Sequence, residues 1–443
     1  MPDPKHIVII GAGTGGYVAA IRAAQLGARV TLVEEAAVGG LCLNWGCIPS
    51  KALLACAELG QKIKKAAEFG INIPGPVSYD LARMVERKNK IVAGLVKGVL
   101  TLLKTWNVEV IEGRGALEGA RTVRVARRDG TEAAIQADAV ILGTGTTAPA
   151  LPNLPLDGTR VISSREALDL TAIPESLLIV GGGVEGCEFA SLFGALGTKV
   201  TIVEMLPRIL PGEDDEVSAL LTAELKKQGV TVMVGTKVDK VTVGPESVTT
   251  TLATGAAITT AKVLVSVGRR FNTAGLGLES AGVALGSRGE ILVNERMETN
   301  IPGLYAIGDV VGKAMLAHVA STQGKVAVRN ILGFPTVMQY DVIPAGIFTF
   351  PEIGRVGLTE QDAKQRGMGI KVGRFRPIGL GKAHASGETT GLMKIVTEAK
   401  TGRIVGVHLV GAHAADLIHE AAVAMHMGAT AEAIAATVHA HPT

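Results

Sequence analysis

Hydrophobic positions along the chain fall into a pattern that occurs twice. The run "HIVII" at 6–10 is short, β-branched and continuous, as expected of a strand buried on both faces, and glycines follow it immediately. An alanine-rich stretch with helical spacing comes next, and "RVTLVE" at 29–34 closes the unit as a second buried strand ending on an acid. Residues 176–204, "SLLIVGGGVEGCEFASLFGALGTKVTIVE", repeat the same order and match residues 6–34 without a gap. Between the repeats, residues 77–106 carry apolar positions at helical spacing among Arg83, Arg87, Lys88 and Lys90, which predicts a long helix with a solvated basic face. Lys5 followed by the apolar run from Ile7 to Ala20 superficially resembles a signal peptide or a membrane span. Gly11, Gly13, Gly15 and Gly16 inside that run, and Arg22 closing it, exclude both.

Each repeat carries G-x-G-x-x-G between strand and helix: Gly11, Gly13 and Gly16 in the first, Gly181, Gly183 and Gly186 in the second. The first glycine makes the tight turn, the second lets backbone approach a pyrophosphate, and the third lets helix and strand pack closely. The helix N-terminus supplies free N–H groups and partial positive charge for phosphate. Glu34 and Glu204 end the second strands at the same spacing, where a carboxylate accepts from ribose hydroxyls. One such motif is a weak signal, whereas two complete units predict two dinucleotides. After Glu204 come Met205, Leu206 and Pro207, with Arg208 alone further on, so the second unit is read as taking NAD over NADP, whose 2′-phosphate the carboxylate would repel.

Composition adds limits more than detail. The 443 residues are 47% hydrophobic and 19% charged, enough for two to four domains with sizeable cores. Net charge is +3, with 44 basic and 41 acidic residues dispersed along the chain, which points to neither nucleic acid nor a membrane surface. Four cysteines cannot make a secreted disulfide framework at this length, so cysteine chemistry is expected to be catalytic, in a reducing, cytoplasmic compartment. Two of the four stand in "GGLCLNWGCIPSK" at 39–51. Five residues apart in a regular helix, Cα atoms lie roughly 8–9 Å from each other, beyond the about 4.4–6.8 Å of a disulfide. Cys42 and Cys47 could therefore bridge only across a distorted turn or helix start, which Gly39, Gly40 and Gly46 permit. The alternative is two small buried hydrophobes.

With this stretch following the first nucleotide unit, nearly the whole chain resembles the flavoprotein disulfide reductases, the class I pyridine nucleotide-disulfide oxidoreductases. The cysteine stretch is most similar to that of the lipoyl-oxidising members. Other segments are similar as well. "TNIPGLYAIGDVVGKAMLAHVASTQG" at 299–324 resembles the second flavin motif, "ILGTGTTAPALP" at 141–152 the exit from the flavin domain, "FTFPEIGRVGLTE" at 348–360 the start of the dimerisation domain, and "HAHPT" at 439–443 the histidine segment. The resemblance implies an α/β fold with two Rossmann-like dinucleotide-binding domains and a C-terminal α/β interface domain. It divides the chain into a flavin domain (1–145), an NAD domain (146–267), a return to the flavin domain (268–340) and an interface domain (341–443).

The resemblance also assigns roles. FAD would lie on Gly11, Gly13, Gly16 and Glu34, with Gly143, Thr144, Gly145, Asp309 on the ribityl chain, Ala317, and Lys51 near the flavin N5. NAD would lie on Gly181, Gly183, Gly186, Glu204 and Gly268. Cys42 would be the exchange sulfur facing substrate and Cys47 the sulfur facing the flavin, with Lys51 paired to Glu188. His441 would be the acid/base and His439 a neighbour that orients or packs, while Cys56 and Cys187 are packing residues; no metal is implied. The implied activity is reoxidation of protein-bound dihydrolipoyl groups, with hydride passed to NAD. A homodimer would place the histidine of one subunit at the cysteines of the other. Partners would be lipoyl domains and the core acyltransferase of 2-oxoacid dehydrogenase complexes, or the lipoyl carrier of glycine cleavage.

Three departures from the family pattern stand out. The sequence stops at Thr443, where the family continues with Leu, Ser and a glutamate that hydrogen-bonds the histidine, and the expectation is a longer protein. Glu185 stands where the family carries an aliphatic residue beside the nicotinamide site, so a side chain facing the ligand would weaken NAD affinity and Glu185→Ile would lower KM for NAD. Trp45 replaces a smaller residue. Glutathione and mercuric reductases are the rivals within the class; the first would want basic residues after Glu204 and the second extra C-terminal cysteines. A mainly structural docking subunit is the rival outside it.

Overall fold

The computed structural model describes residues 3–443 and divides the chain into two compact units. The first comprises 3–52, 86–149 and 268–339, and the second 53–85, 150–267 and 340–443.

The first unit is built on a seven-stranded sheet. Its order is Leu304–Ala306, Ala139–Leu142, His6–Ile10, Arg29–Glu34, Glu109–Leu117, Thr122–Arg127 and Glu132–Gln136. The first five strands are parallel, and the last two pairings of the sheet are antiparallel. His6–Ile10 is buried throughout, which explains its unbroken apolar sequence. The helix Thr14–Gln25 lies against the helix Ala317–Ile331 at such close range that small residues are required. A Cβ at Gly324 would meet the Gly15 carbonyl oxygen at 2.7 Å. The basic stretch read as a helix forms Leu81–Thr105, with Arg83, Arg87 and Lys90 exposed as expected but Lys88 buried.

The second unit holds three sheets. A parallel one runs Thr231–Met233, Lys199–Val203, Ser176–Val180, Lys262–Val265, Val161–Ile162. Val238–Val243, Val248–Leu252 and Ala257–Thr260 form a three-stranded antiparallel meander. The third sheet is antiparallel throughout, in the order Ala345–Ile347, Ile353–Gly357, Ile404–Val410, Leu392–Glu398, Ile370–Phe375. The helix Ala414–His426 buries Ile418 and Ala421 on it with Val356, Ile404 and Val407. No helix among the described residues is long and apolar enough to cross a membrane.

Candidate active site

In the first unit the glycine loop leaves the strand His6–Ile10 at Gly11, whose φ of 102° is strained for any residue with a Cβ. A Cβ at Gly16 would collide with the Gly11 carbonyl oxygen, so helix and loop can approach only through glycine. Gly13 caps the helix Thr14–Gln25 without any side-chain hydrogen bond, which leaves first-turn amides for a phosphate. Glu34 stiffens this loop: its Oε2 accepts from the Ala12 amide at 2.7 Å and its Oε1 from the Ala36 amide at 2.8 Å.

Immediately beyond lies the cysteine pair. The helix Gly40–Trp45 stops at Gly46 (φ −141°, ψ −108°), and a new helix, Cys47–Lys64, starts one residue later. That break resolves the spacing problem, because it brings the Cα atoms of Cys42 and Cys47 to 4.7 Å, and the two form a disulfide. Asn44 braces the turn by donating from Nδ2 to the carbonyls of Val38 and Gly40, and the Ser50 hydroxyl donates to the Cys47 carbonyl. Lys51 follows one turn along, half-buried. Trp45 is half-buried on the same turn.

The other flavin-type residues of this unit form a connected group. Gly143 follows the strand Ala139–Leu142, and its amide donates to the Ile10 carbonyl at 2.8 Å. Thr144 and Asn272 are tied twice: the Thr144 hydroxyl donates to the Asn272 carbonyl at 2.8 Å and the Asn272 amide group to the Thr144 carbonyl at 2.9 Å. Gly145 accepts from the Asn272 amide at 3.0 Å. Asp309 sits in the 3-10 turn Gly308–Val311, where burial pushes its carboxyl above the usual range although the Thr146 hydroxyl donates to it at 3.3 Å and Arg269 stands near. Arg269 donates to the Thr146 hydroxyl and carbonyl, and Gln323 accepts from the Gly308 amide at 2.7 Å. Ala317 opens the helix that follows. Thr146, Arg269, Asn272 and Gln323 had no local sequence signal, since each acts on a residue distant in the chain.

The second unit repeats the cradle in detail. Gly181 has φ 107°, a Cβ at Gly186 would collide with the Gly181 carbonyl oxygen, and Gly183 caps the helix Val184–Leu196 without a side-chain bond. Glu204 accepts from the Gly182 and Leu206 amides, both at 2.7 Å, the counterparts of the two bonds to Glu34. Both cradles therefore fit a dinucleotide by the same observations: glycine where a Cβ would collide, uncapped helix amides, and an acid at the strand end. Glu185 is half-buried and accepts from the Ser266 hydroxyl at 2.9 Å. Glu188 is buried, and its Oε1 accepts from the Phe348 amide at 3.0 Å. Cys187 is fully buried, and burial, followed by the charges of Glu188 and Glu204, pushes its thiol far up, which suits packing and not reaction. Gly268 and Lys51 belong to the first unit, and Glu188 and His441 to the second.

At the C-terminal end His441 is exposed. The carboxylate found there goes to His439: its Nε2 lies 2.6 Å from Glu420 Oε1, and its Nδ1 lies 2.7 Å from the Thr437 carbonyl. These bonds, Glu420's first, hold the His439 imidazole above its usual range.

These features agree with known proteins. Residues 5–324 match the family model described as pyridine nucleotide-disulphide oxidoreductase, and residues 343–443 match the dimerisation domain of the same family. The chain belongs to that family of oxidoreductases, whose cofactors are FAD and NAD. It is similar to the dihydrolipoyl dehydrogenase of Chlamydia pneumoniae, at 43% identity across 100% of this chain and 95% of the relative. The dihydrolipoyl dehydrogenase of Bacillus subtilis is 41% identical over 100% of this chain and 96% of its own length. Among solved structures, LpdA from Mycobacterium tuberculosis superposes with a TM-score of 0.94 at 30% identity, covering 99% of this chain and 97% of that one.

Proposed function

We propose that the chain oxidises dihydrolipoyl groups to lipoyl disulfides, through Cys42 and Cys47, with NAD as final acceptor. The observation that carries this reading is the Cys42–Cys47 disulfide at a helix break directly after one dinucleotide cradle, in a chain that carries a second. The dihydrolipoyl dehydrogenases at 43% and 41% identity support the choice of substrate.

In this reading His441 of one subunit takes the proton from one dihydrolipoyl thiol, and the thiolate attacks the Cys42 sulfur of the other. The Cys42–Cys47 bond breaks, a substrate–Cys42 disulfide forms, and Cys47 leaves as a thiolate. The second substrate thiol, once deprotonated, attacks the substrate sulfur of that mixed disulfide, closes the lipoyl ring and releases Cys42. One dithiol has been oxidised, one protein disulfide reduced, and two protons left to histidine and solvent. Gly11, Gly13, Gly16, Glu34 and the group around Asp309 would hold FAD, which would supply a two-electron acceptor between the cysteines and NAD, and Gly181, Gly183, Gly186 and Glu204 would hold the NAD. Lys51, one turn after Cys47, tunes the flavin in this reading, and His439, oriented by Glu420, steadies the segment that bears His441.

A homodimer fits the match to a dimerisation domain, in which the helix Ala414–His426 and the residue after it leave Leu417, Val423 and Met427 exposed. The partners we infer are lipoyl domains and the acyltransferase core of 2-oxoacid dehydrogenase complexes, or the glycine-cleavage lipoyl carrier. Cys56 and Cys187 standing outside any disulfide suits the cytoplasm. The test is steady-state turnover. Dihydrolipoamide should reduce NAD, oxidised glutathione should not be reduced by NADH, and Cys47→Ser should abolish the lipoamide reaction while retaining flavin. Lipoamide turnover by Cys47→Ser, or efficient turnover of glutathione alone, would contradict the reading.

A further inference from the structure

We propose that Glu185, anchored by Ser266, makes the second cradle favour the oxidised, cationic nicotinamide over the neutral reduced one. The inference rests on the reading of that cradle as the NAD site and adds a specificity between the two redox forms of one cofactor.

Topology gives the position. A dinucleotide crosses the carboxyl ends of the strands in a doubly wound sheet, with its pyrophosphate at the first turn of the helix after the glycine loop. Here the strands run in the order Lys199–Val203, Ser176–Val180, Lys262–Val265. Glu204, after Lys199–Val203, marks the adenosine ribose, and the loop after Ser176–Val180 marks the pyrophosphate. The nicotinamide half therefore extends toward the end of Lys262–Val265, where Ser266 is the next residue. It is at this end that the Ser266 hydroxyl donates to Glu185 Oε2 at 2.9 Å, fixing a carboxylate on the nicotinamide side.

The two cradles differ at this slot more than anywhere else in the loop. The position matching Glu185 in the first unit is Gly15. A Cβ there would press on the Ala320 carbonyl oxygen at 3.1 Å and the Ile307 Cδ1 at 3.2 Å, so protein closes the slot. In the second unit the slot carries an acid that remains half-buried.

Charge then decides what the acid does. The adenosine and pyrophosphate parts are the same in both redox forms, so any repulsion between Glu185 and the pyrophosphate weakens both equally. The nicotinamide ring carries a positive charge only when oxidised, so attraction to Glu185 acts on that form alone. Substrate NAD is thereby retained relative to product NADH. An attraction the size of a water-screened pair of unit charges alters the ratio of the two affinities by about fivefold, about 1 kcal/mol at 1.4 kcal/mol per tenfold.

The test is calorimetric binding to the oxidised holoenzyme, which transfers no hydride to either probe chosen. The probes are NAD and its 1,4,5,6-tetrahydro analogue, whose ring is neutral and inert, with ADP-ribose as a ring-free reference. Glu185→Gln should lower the preference for NAD over the tetrahydro analogue by about fivefold, and Ser266→Ala, which releases the carboxylate, by a smaller factor. ADP-ribose affinity should change in neither variant or rise slightly in Glu185→Gln. An unchanged ratio in both variants, with all three probes still bound, would overturn the proposal while leaving the NAD site standing. Failure of the wild-type holoenzyme to bind ADP-ribose or NAD would overturn the NAD reading, and this inference with it.

Discussion

Lys394 is the perturbation whose consequence the structure fixes most tightly. Across the antiparallel sheet of the second unit, Arg355, His408 and Lys394 lie side by side on neighbouring strands. Opposite them stands the acidic start of the helix Asp215–Lys227. Lys394 is 2% exposed and Asp214 0%, with the ammonium 2.8 and 2.9 Å from the two Asp214 oxygens. The same ammonium lies 2.7 Å from Glu216 and 2.7 Å from Glu360, Arg374 bridges those two acids, and Arg355 meets Glu213 at 2.8 Å. Lys394→Met keeps most of the volume and leaves four acids facing two guanidinium groups and the exposed Lys364 ammonium. Breaking a buried pair in this way costs about 3–5 kcal/mol, and at roughly 2–4 °C per kcal/mol for units of this size the Tm of the holoenzyme should fall by about 6 °C or more.

The pH dependence has a definite sign. Hydrogen bonds from Arg374 and Lys394 hold Glu216 at about 2, and those from Lys364 and Lys394 hold Glu360 at about 2, against an ordinary 4.5. Their contribution is present above 4.5 and is lost as pH falls toward 2. The deficit of Lys394→Met should therefore be full at pH 7 and shrink below pH 4.5. Adding Asp214→Asn should recover part of the lost Tm, because it removes the carboxylate left stranded. Thermal melts by circular dichroism would settle it. A fall of less than about 2 °C, or a double variant worse than the single one, would refute the reasoning, since either means that packing and not charge holds Lys394 in place.

Other expectations concern the site. Gly186→Ala forces a Cβ onto the Gly181 carbonyl oxygen, so NAD affinity by calorimetry should fall by at least about tenfold while flavin content, read from its absorbance, stays unchanged. Glu420→Gln removes the principal cause of the raised His439 titration, and NMR should show the midpoint moving down toward 6.5, with charge on that imidazole lost at lower pH than in the wild type.

Much of this was readable along the chain because it depends on neighbours in sequence. The glycine loops and their acids lie within single units of about thirty residues, and turn, close approach and helix packing each demand glycine locally. The cysteine pair was legible as a pair, but its geometry was not: the helix break at Gly46 decides between a disulfide and two buried thiols. The remaining contacts join distant segments that carry no shared pattern. Glu188 binds the Phe348 amide 160 positions away, Thr146 reaches Asp309 across 163, Lys394 meets Asp214 across 180, and Ser266 holds Glu185 across 81. Nor does any local signal foretell that 53–85 packs with 150–267 and 340–443 as one unit. The partner of a histidine shows the same limit, since Glu420 reaches His439 through the fold and not through the sequence that follows it.

The central claim is that Cys42 and Cys47 cycle between disulfide and dithiol during turnover. The most direct measurement is an anaerobic count of reactive thiols on the denatured chain, taken before NADH, after NADH, and after subsequent addition of lipoamide. With Cys56 and Cys187 outside any disulfide and the other pair bridged, the count should begin at two, rise to four with NADH, and return to two with lipoamide. A count that stays at two in the presence of NADH, or that rises to four and does not fall when lipoamide is added, would contradict the account.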